Sequence, residues 1–215
     1  MSSPTTPASI GPGEFFPVVG VGPHEKPWPE GEQYDPELLL NGDRRNVLDH
    51  YRYWTVAAIV ADLNTKRHKL QIAIENWQHD LNIGSIVRTA NAFNVSGVHI
   101  VGKRDWNKRG AMVTDRYLTV MHHPTIEDFA KYCKDQGLPI IGIDNVPGSK
   151  QLESAQLPES CVLLFGQEGA GMSDEGIAVC EVLYEINQYG STRSMNASAA
   201  GAIAMYHWAL QHLPR

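Results

Sequence analysis

Three stretches of this 215-residue chain carry residue types able to do chemistry. Asn82-Ile-Gly84-Ser-Ile-Val-Arg88-Thr-Ala places an arginine two turns into an amphipathic helix, behind an asparagine where an N-cap belongs. A guanidinium offers a fixed cation and five N–H donors to an anion or a developing oxyanion. Arg88 also falls away from the stripe of Ile86, Ala90 and Phe93, so the segment alone fits an arginine on a solvated face equally well. The second stretch, Leu163-Leu-Phe-Gly166-Gln-Glu168-Gly169-Ala-Gly171, ends a strand in a glycine loop. Its GxxGxG spacing is not the GxGxxG of dinucleotide sites, no Gly-Lys-Ser/Thr follows, and Glu168 would repel phosphate. A ligand without phosphates, carrying positive charge, suits it better; a tight turn with no ligand is the bland alternative. The third stretch runs from Glu185 to Trp208. A polar loop ends in Ser194-Met195-Asn196, and a helix with small residues, Ala197 to Ala202, follows. Close helix packing explains the alanines but not the polar residues 191–196.

The surrounding pattern supplies elements to position these groups. LQIAIENW (70–77), GVHIVG (97–102), PIIGID (139–144), CVLLFG (161–166) and VLYEI (182–186) are expected strands. The unbroken apolar run at 161–166 is typical of a parallel strand covered on both faces. Helices are expected from Asn82, over 125–137 with Thr125 as N-cap and Gly137 as stop, and from about Asn196 to His212. A further helix is expected from about Arg45 to Ala61, where Val47, Tyr51, Trp54, Ala58 and Ala61 recur at helical spacing. Strands alternating with helices predict an α/β fold, a mainly parallel sheet flanked by helices. Three parts are expected: an acidic, Pro/Gly-rich arm over 1–43 with little regular structure, an N-terminal helix within 44–66, and one domain over 67–215. Phe15, Phe16 and Trp28 are candidates to pin the arm.

Composition narrows the class. With 42% hydrophobic and 20% charged residues the chain is globular, and no apolar run approaches the roughly 20 residues of a membrane helix. Its start lacks the basic and apolar regions of a secretory signal, so a cytoplasmic protein is expected. Cys133, Cys161 and Cys180 are odd in number and far apart, which predicts reduced core thiols. No CxxC pair occurs, and adjacent His122 and His123 are badly spaced for one metal, so no metal is expected. Net charge is −6, but residues 1–43 carry −6, residues 44–116 carry +6 and residues 117–215 carry −6. A basic middle third points to an anionic partner.

In this order and spacing the three stretches resemble the motifs of the SpoU/TrmH-type branch of the SPOUT RNA methyltransferases. Asn82-x-Gly84-x-x-x-Arg88-Thr89-Ala90 is similar to the first motif and Phe165-Gly166-x-Glu168-x-x-Gly171 to the second. Ile186-x-x-x-Gly190 with Ser194-Met195-Asn196-Ala197-Ser198 is similar to the third. Two departures stand out: Asn187-Gln188 where the family commonly has Pro-Met, and Met195 for its usual leucine, a near-isosteric exchange. The resemblance covers roughly residues 70–212. It implies a C-terminal trefoil knot, a homodimer with active sites at the interface, and S-adenosylmethionine bent in the knot. By the same resemblance Leu164, Gly166, Ile186, Gln188 and Met195 hold the cofactor. Arg88 acts on the target ribose 2′-hydroxyl, as a transient base or as a cation beside the developing alkoxide. Asn82 orients Arg88 or the ribose, Glu168 holds Arg88 or Asn196, and Ser194 and Asn196 fix cofactor and ribose. RNA, either tRNA or rRNA, is the implied partner. Lys103, Arg104, Lys108, Arg109 and Arg116, with Trp106 and Tyr117, are the expected contacts. Arg44, Arg45, Arg52 and Trp54 form a second candidate surface. Two rival readings are a non-catalytic RNA-binding relative and an α/β enzyme that binds ATP or NAD through the 166–171 loop.

Overall fold

The structure is a computed structural model and describes residues 20–78 and 82–214. Phe15 and Phe16 lie outside the described residues. The chain divides into two compact units after Ile59.

In the first unit Asp35 caps α1, Pro36–Asn41, a short helix within the arm expected to have little regular structure. Trp28 donates to the His24 carbonyl at 3.3 Å. The helix expected over 45–61 does not form as one piece. A 3-10 turn occupies Asp49–Tyr51, and α2 starts only at Val56 and ends at Asn64. Asp43 is the cause. Fully buried, it accepts the Arg45 N–H at 3.0 Å, the Arg45 guanidinium at 2.9 and 2.7 Å, and the Tyr53 N–H at 3.0 Å. A buried carboxylate has to be paired, so the backbone from 43 to 54 wraps around it instead of keeping a helical period. Burial would raise the Asp43 pKa, but the bonds from Arg45 and Tyr53 outweigh it and hold it at about 2. Arg45 also donates to the Trp54 carbonyl, and Arg52 to the Arg45 carbonyl. These two arginines therefore serve the fold of this unit, a correction to their candidacy for RNA.

The second unit is built on a seven-stranded sheet in which all the strand pairings are parallel. Its strands are β1 His68–Asn76, β2 Val95–Gly102, β3 Val120–His123, β4 Ile140–Ile143, β5 Lys150–Gln151, β6 Cys161–Phe165 and β7 Val182–Glu185, in the order β3-β2-β1-β6-β4-β7-β5. The five strands expected from sequence appear; β3 and β5 were not expected, being short and partly or wholly exposed. Helices α3 (Asn82–Ala92), α4 (Ile126–Gln136), α5 (Asp174–Val179) and α6 (Ala197–His212) belong to the same unit, with 3-10 turns at Lys108–Ala111, Thr114–Tyr117 and Leu152–Ser154. Thr125 caps α4 through the Asp128 N–H, and Gly137 ends it at φ 65°. Asn82 is the first residue of α3 instead of its cap.

Side-chain alternation divides the core. On β1, Leu70, Ile72 and Ile74 join Cys161, Leu163 and Phe165 of β6 in a cluster shared with α3 and α6. Ala73, Val162 and Leu164 point the other way, into a cluster with Phe129 and Cys133 of α4. Burial pushes the thiols of Cys133, Cys161 and Cys180 up to about 12. From β1 the sheet grows through β2 and β3 on one side and through β6, β4 and β7 on the other. Chain loops diverge where such an order reverses, leaving a crevice at the carboxyl ends of the strands.

Candidate active site

A cleft of about 720 Å³ lies at the carboxyl ends of the strands on the β6 side of that reversal. The ends of β4 (Ile143, Asp144), β6 (Phe165, Gly166) and β7 (Ile186) form its floor, with the 166–172 loop and residues 193–197 as walls. The loop is closed on itself: Gln167 and Gly171 exchange backbone hydrogen bonds of 3.2 and 3.0 Å, and Gly171 sits at φ 73°. A Cβ on Gly166 would lie 2.2 Å from the Met172 nitrogen, so only glycine lets the loop fold back on the strand end. Two carboxylates hold the far side of the loop. Asp144 accepts the Met172 N–H at 2.7 Å. Glu75, at the end of β1 and fully buried, accepts the Ser173 N–H at 2.8 Å and its hydroxyl. Burial raises the Glu75 pKa despite the bonds from Ser173.

One polar network joins the three stretches. Asn82 donates to Glu168 at 2.5 Å, and Asn196 donates to Asn82 at 2.8 Å and to Glu168 at 3.2 Å. Asn196 also caps α6, its side-chain oxygen accepting the N–H groups of Ser198 and Ala199. Residues 114 positions apart in the chain, Asn82 and Asn196, thus meet at one carboxylate.

The expected site residues are distributed as follows. Gly166, Glu168, Ile186, Gln188, Ser194, Met195 and Asn196 line the cleft. Leu164 does not: it is buried on the α4 side of the sheet, because alternation turns it away, and Phe165 takes the cleft-facing place. Glu168 binds Asn82 and Asn196; among the described residues Arg88 makes no hydrogen bond or ion pair, is exposed, and does not line the cleft. The cleft residues missed from sequence include Asp144, Asn145 and Arg193; Asn145 donates to the Arg193 carbonyl at 2.9 Å. Their only sequence signal is position, since Asp144 and Asn145 follow the last residue of an apolar strand.

The basic loop after β2 is half as expected. Lys103, Arg104, Lys108, Arg109 and Arg116 are exposed. Its aromatics are not: Trp106 packs against the core and Tyr117 is buried, a correction to the expected base-stacking role. Lys108 lies 5.5 Å from the Trp106 ring and pairs with Asp115 at 3.1 Å.

Among the described residues no cluster of three or more metal-ligating side chains occurs, and no helix is long and apolar enough to cross a membrane. Comparison with known proteins gives relatives in sequence and in fold. A tRNA (guanosine(18)-2′-O)-methyltransferase of Escherichia coli (strain K12) is 29% identical over 156 residues, 70% of this chain and 67% of its own length. An A. aeolicus TrmH/SpoU tRNA modifying enzyme shares the fold with a TM-score of 0.63 at 22% identity, over 73% of this chain and 83% of that one. An AdoMet-bound rRNA methyltransferase from Sinorhizobium meliloti does so with a TM-score of 0.61 at 23% identity, over 71% and 61%. The profile of the SpoU rRNA methylase family matches residues 69–206, nearly the whole second unit, and the chain belongs to that family.

Proposed function

We propose that this chain methylates a ribose 2′-hydroxyl of tRNA with S-adenosylmethionine, residues 67–215 being the catalytic part. The Asn82–Glu168–Asn196 network carries the reading, because it gathers all three motifs at the rim of one cleft. The cofactor fits the residues present. A cleft of about 720 Å³ lies within the ~300–1,000 Å³ typical of small-molecule sites. Phe165, Ile186 and Met195 offer apolar walls for an adenine, and Asp144 and Glu168 offer negative charge to a cation. When bound, S-adenosylmethionine supplies a sulfonium-activated methyl and leaves as a neutral thioether. The chain's own part is positioning and charge. Glu168 and Asn196 fix the rim where the ribose enters, and Asn82 ties α3 to it. Arginine stays protonated in proteins, so Arg88 stabilises the developing alkoxide while water or an RNA phosphate takes the proton.

Arg88 is exposed and does not line the cleft of its own chain, and this supports a homodimer in which Arg88 of one copy serves the cleft of the other. Ile203, Tyr206 and Leu210 form an exposed apolar stripe on α6, suited to a second copy. The same reading includes the family's trefoil knot. Its support is the passage of the 152–158 segment over α6, where His207, Trp208 and Gln211 donate to or contact the carbonyls of Ala155 and Pro158. Unpaired thiols accord with a reducing, cytoplasmic setting.

Calorimetry with S-adenosylmethionine, followed by transfer of labelled methyl into unfractionated tRNA, tests the activity. Saturable binding and alkali-resistant label in tRNA are expected; binding of ATP in place of the cofactor, or binding without transfer, overturns it. Mixing inactive Arg88→Ala and Gly166→Ala proteins tests the shared site. Recovered activity in the mixed dimer is expected, and none appears if each copy works alone.

A further inference from the structure

The tip of the basic loop carries two exposed apolar side chains in a conformation such residues avoid. Met112 has φ 47° and Val113 φ 67°, both left-handed, and they are 63% and 53% exposed. Left-handed backbone is unfavourable for L residues, and a β-branched valine there is an outlier. Such strain persists only where the surroundings over-determine it, and it gathers at ligand clamps.

The surroundings do over-determine it. The loop base is tied down by Asn76, which donates to the carbonyls of Lys103 (2.7 Å) and Asp105 (2.9 Å), and by Arg67, which donates to the Tyr117 carbonyl. Buried Ala111 and Thr114 flank the tip, the Thr114 hydroxyl bonding the Ala111 carbonyl at 2.6 Å. The loop is also pressed onto α3. A Cβ on Gly84 would lie 2.8 Å from the Ala111 nitrogen, and one on Gly110 would lie 2.8 Å from the Ser85 nitrogen. Gly84 and Arg88 are one turn apart on the same face of α3. The rigid apolar tip is thereby fixed relative to the helix that carries Arg88.

We propose that Met112 and Val113 are a base-contacting wedge: an unstacked base of the RNA substrate seats on them, which orients the neighbouring ribose relative to Arg88. The proposal rests on the functional reading above. The exposed cations of the same loop, Lys103, Arg104, Lys108, Arg109 and Arg116, decide the occupant. A second copy meeting this face across a two-fold axis would set like charges against each other, whereas helix α6, which carries the other apolar stripe, contains no lysine or arginine. An RNA strand satisfies both parts, phosphates on the cations and a base on the apolar tip. Apolar side chains that rest on or insert between bases are a known means of unstacking them. The wedge replaces the stacking role that inward-packed Trp106 and buried Tyr117 do not fill.

The test is a Met112→Asn/Val113→Asn double variant, with Met112→Gly/Val113→Gly as its companion. Asparagine and glycine tolerate the left-handed region, so thermal stability is expected to hold or rise. Affinity for unfractionated tRNA is expected to fall about tenfold in both. The slope of affinity against salt should be unchanged, because the cations remain, and S-adenosylmethionine affinity should be unchanged. Wild-type tRNA affinity in both variants overturns the wedge, and so does a fall in tRNA affinity that comes with loss of self-association. A wild-type protein that binds tRNA but transfers no methyl sinks the enzymatic reading alone; the variants still decide the wedge by binding.

Discussion

The cleft proposed for the cofactor is closed by main-chain atoms and by two carboxylates locked beneath the 166–173 segment, whereas the loop over 103–117 is anchored at its base and turns its cations outward. The first construction suits a small ligand of fixed shape. Backbone groups and a missing Cβ set distances that no rotamer can alter. The second suits a flexible polyanion, for which long basic side chains adjust and phosphate contact is a matter of charge more than geometry. Damage to the cleft should therefore be abrupt and specific, and damage to the loop graded and salt-dependent.

Gly166→Ala should have the largest effect. Its new methyl meets backbone at 2.2 and 2.3 Å, which no side-chain movement relieves. We expect a loss of about 3 kcal/mol in stability and no detectable binding of S-adenosylmethionine by calorimetry. Normal binding would mean that the loop tolerates displacement and that the cleft is not set by backbone. Arg88→Ala comes next and tests the opposite property. Among the described residues Arg88 makes no hydrogen bond or ion pair, so cofactor affinity and thermal stability should stay at wild-type values while kcat falls about 10²–10³-fold. A fall in cofactor affinity would place Arg88 in the cleft and abolish the contrast.

Lys108→Ala with Arg109→Ala should be milder. Binding of tRNA should weaken about tenfold at moderate salt, and the slope of log affinity against log salt should flatten by roughly one to two. Lys108 gives up its pair with Asp115, so part of its charge is already compensated, and Arg109→Ala alone is expected to account for most of the change.

The contrast also explains what was legible in the sequence. The cleft was, because a glycine before a turn, an asparagine at a helix start and an acid within a loop are short-range signals with fixed spacing. The network that unites them could be anticipated as a shared site but not as geometry, since Asn82, Glu168 and Asn196 meet only through the sheet order. Asp144 and Glu75 escaped notice because a lone acid after a strand has no spacing to mark it. The helix expected over 45–61 failed for a related reason: apolar spacing favoured it, but the buried Asp43 carboxylate claims Arg45 and Tyr53. Trp106 and Tyr117 show that residue type near cations does not fix which way an aromatic points. Met112 and Val113, unremarkable as letters, acquire interest only from their φ angles and exposure.

The smallest effect expected at neutral pH separates the two regions along the sheet. Beneath the loop side, His99 of β2 and His123 of β3 share a 2.9 Å hydrogen bond, with Gln71, Phe129 and Tyr132 packed around them. Burial, aided by His123, lowers the His99 pKa to about 3, and burial also lowers that of His123, with Asp128 opposing. In the unfolded chain a histidine takes up its proton near pH 6.5. The folded state resists that proton, so stability from this pair is present above about 6.5 and is lost progressively as pH falls toward 3. His122 bonds the Gly102 carbonyl at 2.8 Å, where the loop begins, so weakening β2–β3 should reach the loop first. Amide exchange at pH 5 is expected to accelerate in β2 and β3 relative to pH 7.5, with β6 amides unchanged after correction for intrinsic rates. Equal acceleration in β6 would mean that sheet and cleft open as one unit, and the separation between a backbone-set cleft and a side-chain-set face would then stop at chemistry and not extend to stability.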